Sequence, residues 1–184
     1  MVEVTRREAL ILGAALMTTP AAAATPTTAF DFRLEAIEGG PLDLGGFRGR
    51  PMLVVNTASF CGYTPQYTGL QKLHETYGPR GLVVLGVPSN DFNQESADAR
   101  TIKRFCEANY SVEFPMTTPA RVTGAQAVPL FAFLAAHGGG APRWNFHKYL
   151  VGRDGRRVRG FPTQTGPEAP ALVQAIEAAL AAMA

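Results

Sequence analysis

Sulfur is scarce in this chain: Cys61 and Cys106 are the only two cysteines in 184 residues. Two cysteines cannot build the disulfide framework of a small secreted scaffold, and the absence of a CxxC pair argues against a disulfide reductase. Histidine is almost as sparse. His74, His137 and His147 have no mutual ligand spacing, so neither a metal site nor another cofactor is expected. The glycines at 138–140 make a flexible turn with no phosphate-loop pattern. An excess of charge of one sign is also missing: the formal net charge is +2 and the basic residues are scattered, which argues against nucleic-acid binding. What remains is an ordinary globular composition, 46% hydrophobic and 17% charged, on a chain long enough for one well-buried core.

The first segment, MVEVTRREALILGAALMTTPAAAATP, reads as an export signal rather than as part of the fold. It has a charged start, an apolar stretch from Ala9 to Met17 too short to span a bilayer, and Ala22-Ala23-Ala24 as a cleavage site. The pair Arg6-Arg7 after Thr5 resembles a twin-arginine signal, although the general secretory route accepts paired arginines too. Residues 1–24 are therefore expected to be removed, leaving residues 25–184 as one periplasmic or otherwise exported domain.

Along that domain, Phe30–Leu34 and Leu42–Leu44 flank Gly39-Gly40-Pro41 and predict an N-terminal hairpin. Pro51–Thr57 is a near-continuous apolar run, as in a strand buried on both faces. Thr64 and Pro65 predict a helix start, Thr as N-cap and Pro in the first turn. Leu70, Leu73, His74 and Tyr77 recur at helical spacing until Gly78-Pro79. Gly81–Pro88 is a second buried strand, parallel to the first across a right-handed βαβ crossover. Further helices are predicted over 96–109, 128–136 and 167–183, with an extended piece at 114–116. A hairpin, 146–151 with 157–161, is predicted around Arg153-Asp154-Gly155. The order fits a thioredoxin-like α/β sandwich: an N-terminal β-hairpin and a central mixed sheet flanked by helices.

Cys61 falls after the first buried strand and just before a helix N-terminus. Free backbone N–H groups and the helix dipole favour an anion there, and so a thiolate that can attack one oxygen of a peroxide. Gly62 leaves room for close approach. A buried structural cysteine is the alternative from position alone.

Three segments raise the weight of the first reading: ASFCGYTPQYTGL around Cys61, VPSNDFNQES at 87–96, and WNFHKYLV at 144–151. Together, in order and spacing, they resemble the glutathione peroxidase family over roughly Phe30 to Leu180. The resemblance implies a thioredoxin-like fold and a thiol peroxidase, with Cys61 in place of the family's selenocysteine. It also implies a catalytic tetrad of Cys61, Gln94, Trp144 and Asn145. Gln and Asn amides and the Trp indole each offer N–H donors that can hold a thiolate and the departing peroxide oxygen. The implied partners are a hydroperoxide and a thiol reductant, a thioredoxin-like protein or glutathione.

The chain departs from the family at several points. Ser89 stands where many members have cysteine, and the loop to Gln94 is one residue shorter, with Asp91 where Gln is frequent. Between Leu134 and Trp144 stands only AAHGGGAPR, where tetrameric members carry a long insertion, so the resemblance implies a monomer with an open site. Cys106 lies one residue from the position of the family's resolving cysteine. A resolving role is expected and a packing role is the alternative, since one helical residue is a rotation of about 100°. Arg143 and Lys148, near Trp144, are read as solvated surface charges, with attraction of an anionic reductant as the alternative. A thiol redox relay, passing oxidation from Cys61 to a partner protein, is the competing function.

Overall fold

A computed structural model describes Met1 and residues 26–182. The expected export segment, apart from Met1, lies outside the described residues. A short antiparallel pair comes first, β1 (Arg33–Glu35) with β2 (Pro41–Asp43), as the turn at Gly39-Gly40 requires. The central sheet contains β3 (Met52–Thr57), β4 (Val83–Pro88), β5 (Lys148–Val151) and β6 (Val158–Phe161), in the order β4-β3-β5-β6. β3 and β4 are parallel, as the βαβ pattern predicts, whereas β3–β5 and β5–β6 are antiparallel. The sheet is therefore mixed.

Among the described residues, four α-helices cover the sheet: α1 (Gln66–Tyr77), α2 (Ala99–Tyr110), α3 (Pro129–His137) and α4 (Pro170–Ala181). Side chains alternate across a strand, so β3 feeds two cores. Leu53 and Val55 pack with Leu70 and Leu73 of α1, Ile102 and Cys106 of α2, and Leu172 and Ile176 of α4. Met52 and Val54 pack on the other face with Phe131 and Leu134 of α3 and with Phe30 and Leu44 of the N-terminal segment. All six residues of both β3 and β4 are buried, which is why they read as unbroken apolar runs. The segment 114–117 bridges Gly86 of β4 and Ala36 through Met116 and Thr117. Pro115 lacks the N–H a longer ladder needs.

Two helix starts differ from expectation because of the hydrogen bonds that nearby side chains make. Thr64 does not cap α1. Its Oγ1 accepts from the Cys61 N–H at 3.0 Å and donates to the Ala58 carbonyl at 2.9 Å, and α1 begins two residues later with Pro65 as N-cap. α2 begins at Ala99 rather than near Ser96, because Asp98 Oδ1 accepts from the Thr101 N–H at 2.7 Å. The sharp turn after β5 needs Gly155: its φ is +68°, and a Cβ there would collide with the Phe30 ring.

Candidate active site

The chain leaves β3 at Thr57 and turns at once. Thr64 N bonds to the Cys61 carbonyl, Gln66 N to Tyr63 O, and Tyr67 N to Thr64 O, so consecutive turns wind from Cys61 into α1. Within this run the Tyr63 N–H donates to Cys61 Sγ at 3.4 Å. Cys61 is 8% exposed and packs at the edge of the core that Leu70 and Phe146 share, next to Phe60, which is 64% exposed. The position beside Gly62 is open: a Cβ there would meet no atom within 4 Å.

The loop after β4 brings Gln94 to this turn. The Phe60 N–H donates to the Gln94 carbonyl at 3.0 Å, fixing the glutamine next to the cysteine loop. The shortened loop closes around Asn90, whose carbonyl accepts from Asn93 N and whose Oδ1 accepts from Glu95 N; Asn93 takes a positive φ of 56°. Asp91, in the place where Gln is frequent, accepts from the Val122 and Thr123 N–H groups and so ties the loop to the segment before α3. Ser89 is fully buried, and its Oγ accepts from Asp91 N.

The third segment precedes β5. Asn145 is buried, and its Nδ2 donates to Gln94 Oε1 at 2.9 Å. The Gln94 carboxamide thus spends its oxygen on Asn145 and keeps its NH2 group for another acceptor. Trp144 is 40% exposed and packs its indole at 5.3 Å from the Phe92 ring. Asn145, Gln94 and the backbone of Phe60, the residue before Cys61, are therefore joined by hydrogen bonds, with Trp144 adjoining Asn145 in sequence. Beside Trp144 a cleft of about 460 Å3 is lined by Arg143, His147, Thr163 and Gln164. Burial pushes the His147 imidazole down to about 4, so it is neutral at pH 7.

Cys106 lies behind the site, 1% exposed on the same face of α2 as Ile102. Burial pushes its thiol up to about 11, and the negative side chains of Glu95 and Glu107 add to the shift in the same direction. Tyr67, wholly buried between Phe146 and Phe114, shares this pocket, and burial raises its hydroxyl far above the usual range. Burial also raises the Glu95 carboxyl, whose Oε2 has no hydrogen-bond partner among the described residues.

One residue overturns the sequence reading and three extend it. Lys148 is not a solvated charge: it is fully buried in β5, its Nζ donating to the Phe146 carbonyl at 2.7 Å. β5 is buried on both faces, so the side chain has no route to solvent on either side of the sheet. Arg143, by contrast, is exposed. Sequence reasoning missed Thr64, Asn56 and Thr163 as residues that hold the site. Asn56 carried a signal, a carboxamide inside an otherwise apolar strand. Thr163, in a loop after β6, carried none.

The glutathione peroxidase family model matches residues 29–135. A glutathione peroxidase of Lactococcus lactis subsp. cremoris is 42% identical over 144 residues, covering 76% of this chain and 92% of that protein. A hydroperoxy fatty acid reductase of Synechocystis is 43% identical over 152 residues, covering 77% and 90%. Among solved structures, Trgpx in its apo form superimposes with a TM-score of 0.70 at 31% identity, covering 86% of this chain and 99% of that one. A thiol:disulfide interchange protein of the thioredoxin family from Chlorobium tepidum gives 0.61 at 19% identity, over 86% and 99% of the two chains, and bears on the fold alone. The sheet order, the cysteine turn and these matches agree, and the chain belongs to the glutathione peroxidase family.

Proposed function

We propose that Cys61 is the nucleophile of a thiol peroxidase that reduces hydrogen peroxide and organic hydroperoxides. Its thiolate attacks the terminal peroxide oxygen. The S–O bond forms as the O–O bond breaks, and the leaving alkoxide or hydroxide takes a proton and departs as alcohol or water. The sulfur is left as a sulfenic acid, oxidised by two electrons. One thiol then displaces water from it to give a mixed disulfide, and a second thiol releases Cys61 with formation of a disulfide between the two reductants. Gln94, Trp144 and Asn145 act as neutral N–H donors to the thiolate and the departing oxygen.

The observation that supports this reading is the hydrogen-bonded link from Phe60 through Gln94 to Asn145, next to the turn where the Tyr63 N–H meets the sulfur. Steady-state peroxide consumption with excess thiol tests it. A peroxidase turns over many times per chain, whereas a relay that hands its oxidation to a partner protein consumes about one equivalent alone.

Regeneration is assigned to an external thiol, a thioredoxin-like protein or glutathione, attacking Cys61 directly. The burial of Cys106 favours this route over an internal Cys61–Cys106 disulfide, which requires local opening of α2. A monomer with an open site suits the short connection from α3 to Trp144. Cleavage after Ala24 and export complete the proposal. Fractionation with N-terminal sequencing tests that part, and a cytoplasmic chain retaining Met1 contradicts it.

A further inference from the structure

Residues 144–146 belong to no strand, so the sheet offers their carbonyls no ladder partners, and each must find a donor elsewhere. All three find a side chain. The Trp144 carbonyl accepts from Asn56 Nδ2 at 3.1 Å, the Asn145 carbonyl from Thr163 Oγ1 at 2.7 Å, and the Phe146 carbonyl from Lys148 Nζ at 2.7 Å. The donors come from three places, β3, the loop after β6, and β5. Asn56 and Lys148 are fully buried and Thr163 is 3% exposed. A purely apolar core has no need of a carboxamide, a hydroxyl and an ammonium here, and each is costly to bury without a partner. The backbone they hold is strained: Phe146 has a φ of +60°. The Phe146 N–H is tied to the Asn56 carbonyl at 2.6 Å, and the His147 carbonyl accepts from Asn56 N, so Asn56 grips the segment from both its main chain and its side chain.

We propose that Asn56, Thr163 and Lys148 are positioning residues that set the direction of the Trp144 indole and the Asn145 carboxamide by holding three consecutive main-chain carbonyls. Asn56 adds a mechanical link, since it lies on the strand that leads to Cys61. A displacement of Cys61's turn and a displacement of Trp144 are therefore opposed by the same side chain. Fixing the Asn145 carbonyl through Thr163 also fixes the distance its amide must span to Gln94. Nothing in this cradle touches the reacting atoms.

The inference rests on the reading of Trp144 and Asn145 as donors, and the test separates the two. Trp144 is the only tryptophan in the chain, so its fluorescence anisotropy decay reports its freedom directly, without any reference to activity. Thr163→Val keeps the shape and removes the hydroxyl, Thr163→Ser restores it, and Lys148→Met removes the ammonium. With folding verified by circular dichroism, the Val and Met variants should show a freer indole. Their rate of Cys61 oxidation, followed by quenching and alkylation, should fall about ten-fold, as misplacement of catalytic groups commonly causes. Thr163→Ser should return both signals to wild type. Folded Val and Met variants with an unchanged anisotropy decay overturn the proposal, and Thr163→Val remains decisive if Lys148→Met does not fold. A freer indole with an unchanged oxidation rate supports the cradle and contradicts instead the donor role of Trp144 and Asn145.

Discussion

Replacing Lys148 by Met removes a buried ammonium while keeping an unbranched stem, and the consequence for stability is a function of pH. Burial pulls the Lys148 ammonium from an ordinary 10.5 down to about 7 in the folded chain, and no carboxylate forms an ion pair with it among the described residues. Between pH 10.5 and 7 the unfolded chain holds this proton and the folded chain does not, so lowering the pH through that window favours unfolding. Below 7 both states are protonated and the full penalty is in force; above 10.5 it is absent. At about 1.4 kcal/mol for each tenfold difference in proton affinity, wild type should gain on the order of 3 kcal/mol relative to Lys148→Met between pH 6.5 and 9.5. The variant also leaves the Phe146 carbonyl without its donor, a cost of about 1–3 kcal/mol that does not depend on pH and shifts the whole curve. Urea unfolding of both proteins at several pH values separates the slope from the offset. A stability difference that stays flat from pH 6.5 to 9.5 would refute the assignment of Lys148 as a buried group that loses its proton near neutrality.

Two further outcomes follow from the site. Trp144→Phe keeps the packing against Phe92 but deletes the indole N–H, and should slow Cys61 oxidation about ten-fold, or about 1.4 kcal/mol in the barrier; an unchanged rate assigns Trp144 to packing alone. Cys106→Ser should react with the first equivalent of peroxide as wild type does and turn over equally with small thiols and with thioredoxin, while native Cys106 should resist iodoacetamide at pH 7.5. Loss of turnover with thioredoxin alone would restore the internal disulfide as the route of regeneration.

The parts of the fold that were legible in the sequence are those where one physical cause dominates. β3 and β4 are covered on both faces, so no polar residue except Asn56 and Thr57 interrupts them, and the run lengths match the strands closely. The parallel pairing followed from the helix between them. Helix starts were less legible because Ser, Thr and Asp compete for the same duty. Thr64 looks like an N-cap, yet its hydroxyl closes the cysteine turn, and Asp98 caps α2, which begins three residues after the expected start at 96. Cys61 stands out by its place between a buried strand and a helix start, whereas Gln94, Trp144 and Asn145 are named only by the resemblance of their segments to the glutathione peroxidase family. Lys148 could not be placed, since a lysine at the start of a short strand reads as a surface charge until both faces of β5 are known to be covered. Thr163 lies eighteen residues from the carbonyl it holds, and only the return of the chain after β6 brings the two together. The burial of Cys106 was a matter of helical phase, which a one-residue uncertainty in alignment leaves open.

The central claim is that the Cys61 sulfur carries the reaction, and intact-mass analysis after a single equivalent of peroxide tests it most directly. In wild type the adduct, trapped by a sulfenic-acid reagent, should map to Cys61, with Cys106 unmodified. Cys61→Ser should fold, form no adduct, and consume peroxide with thiol no faster than the thiol does alone. Peroxide turnover by a folded Cys61→Ser chain, or an adduct confined to Cys106 in wild type, would contradict the account.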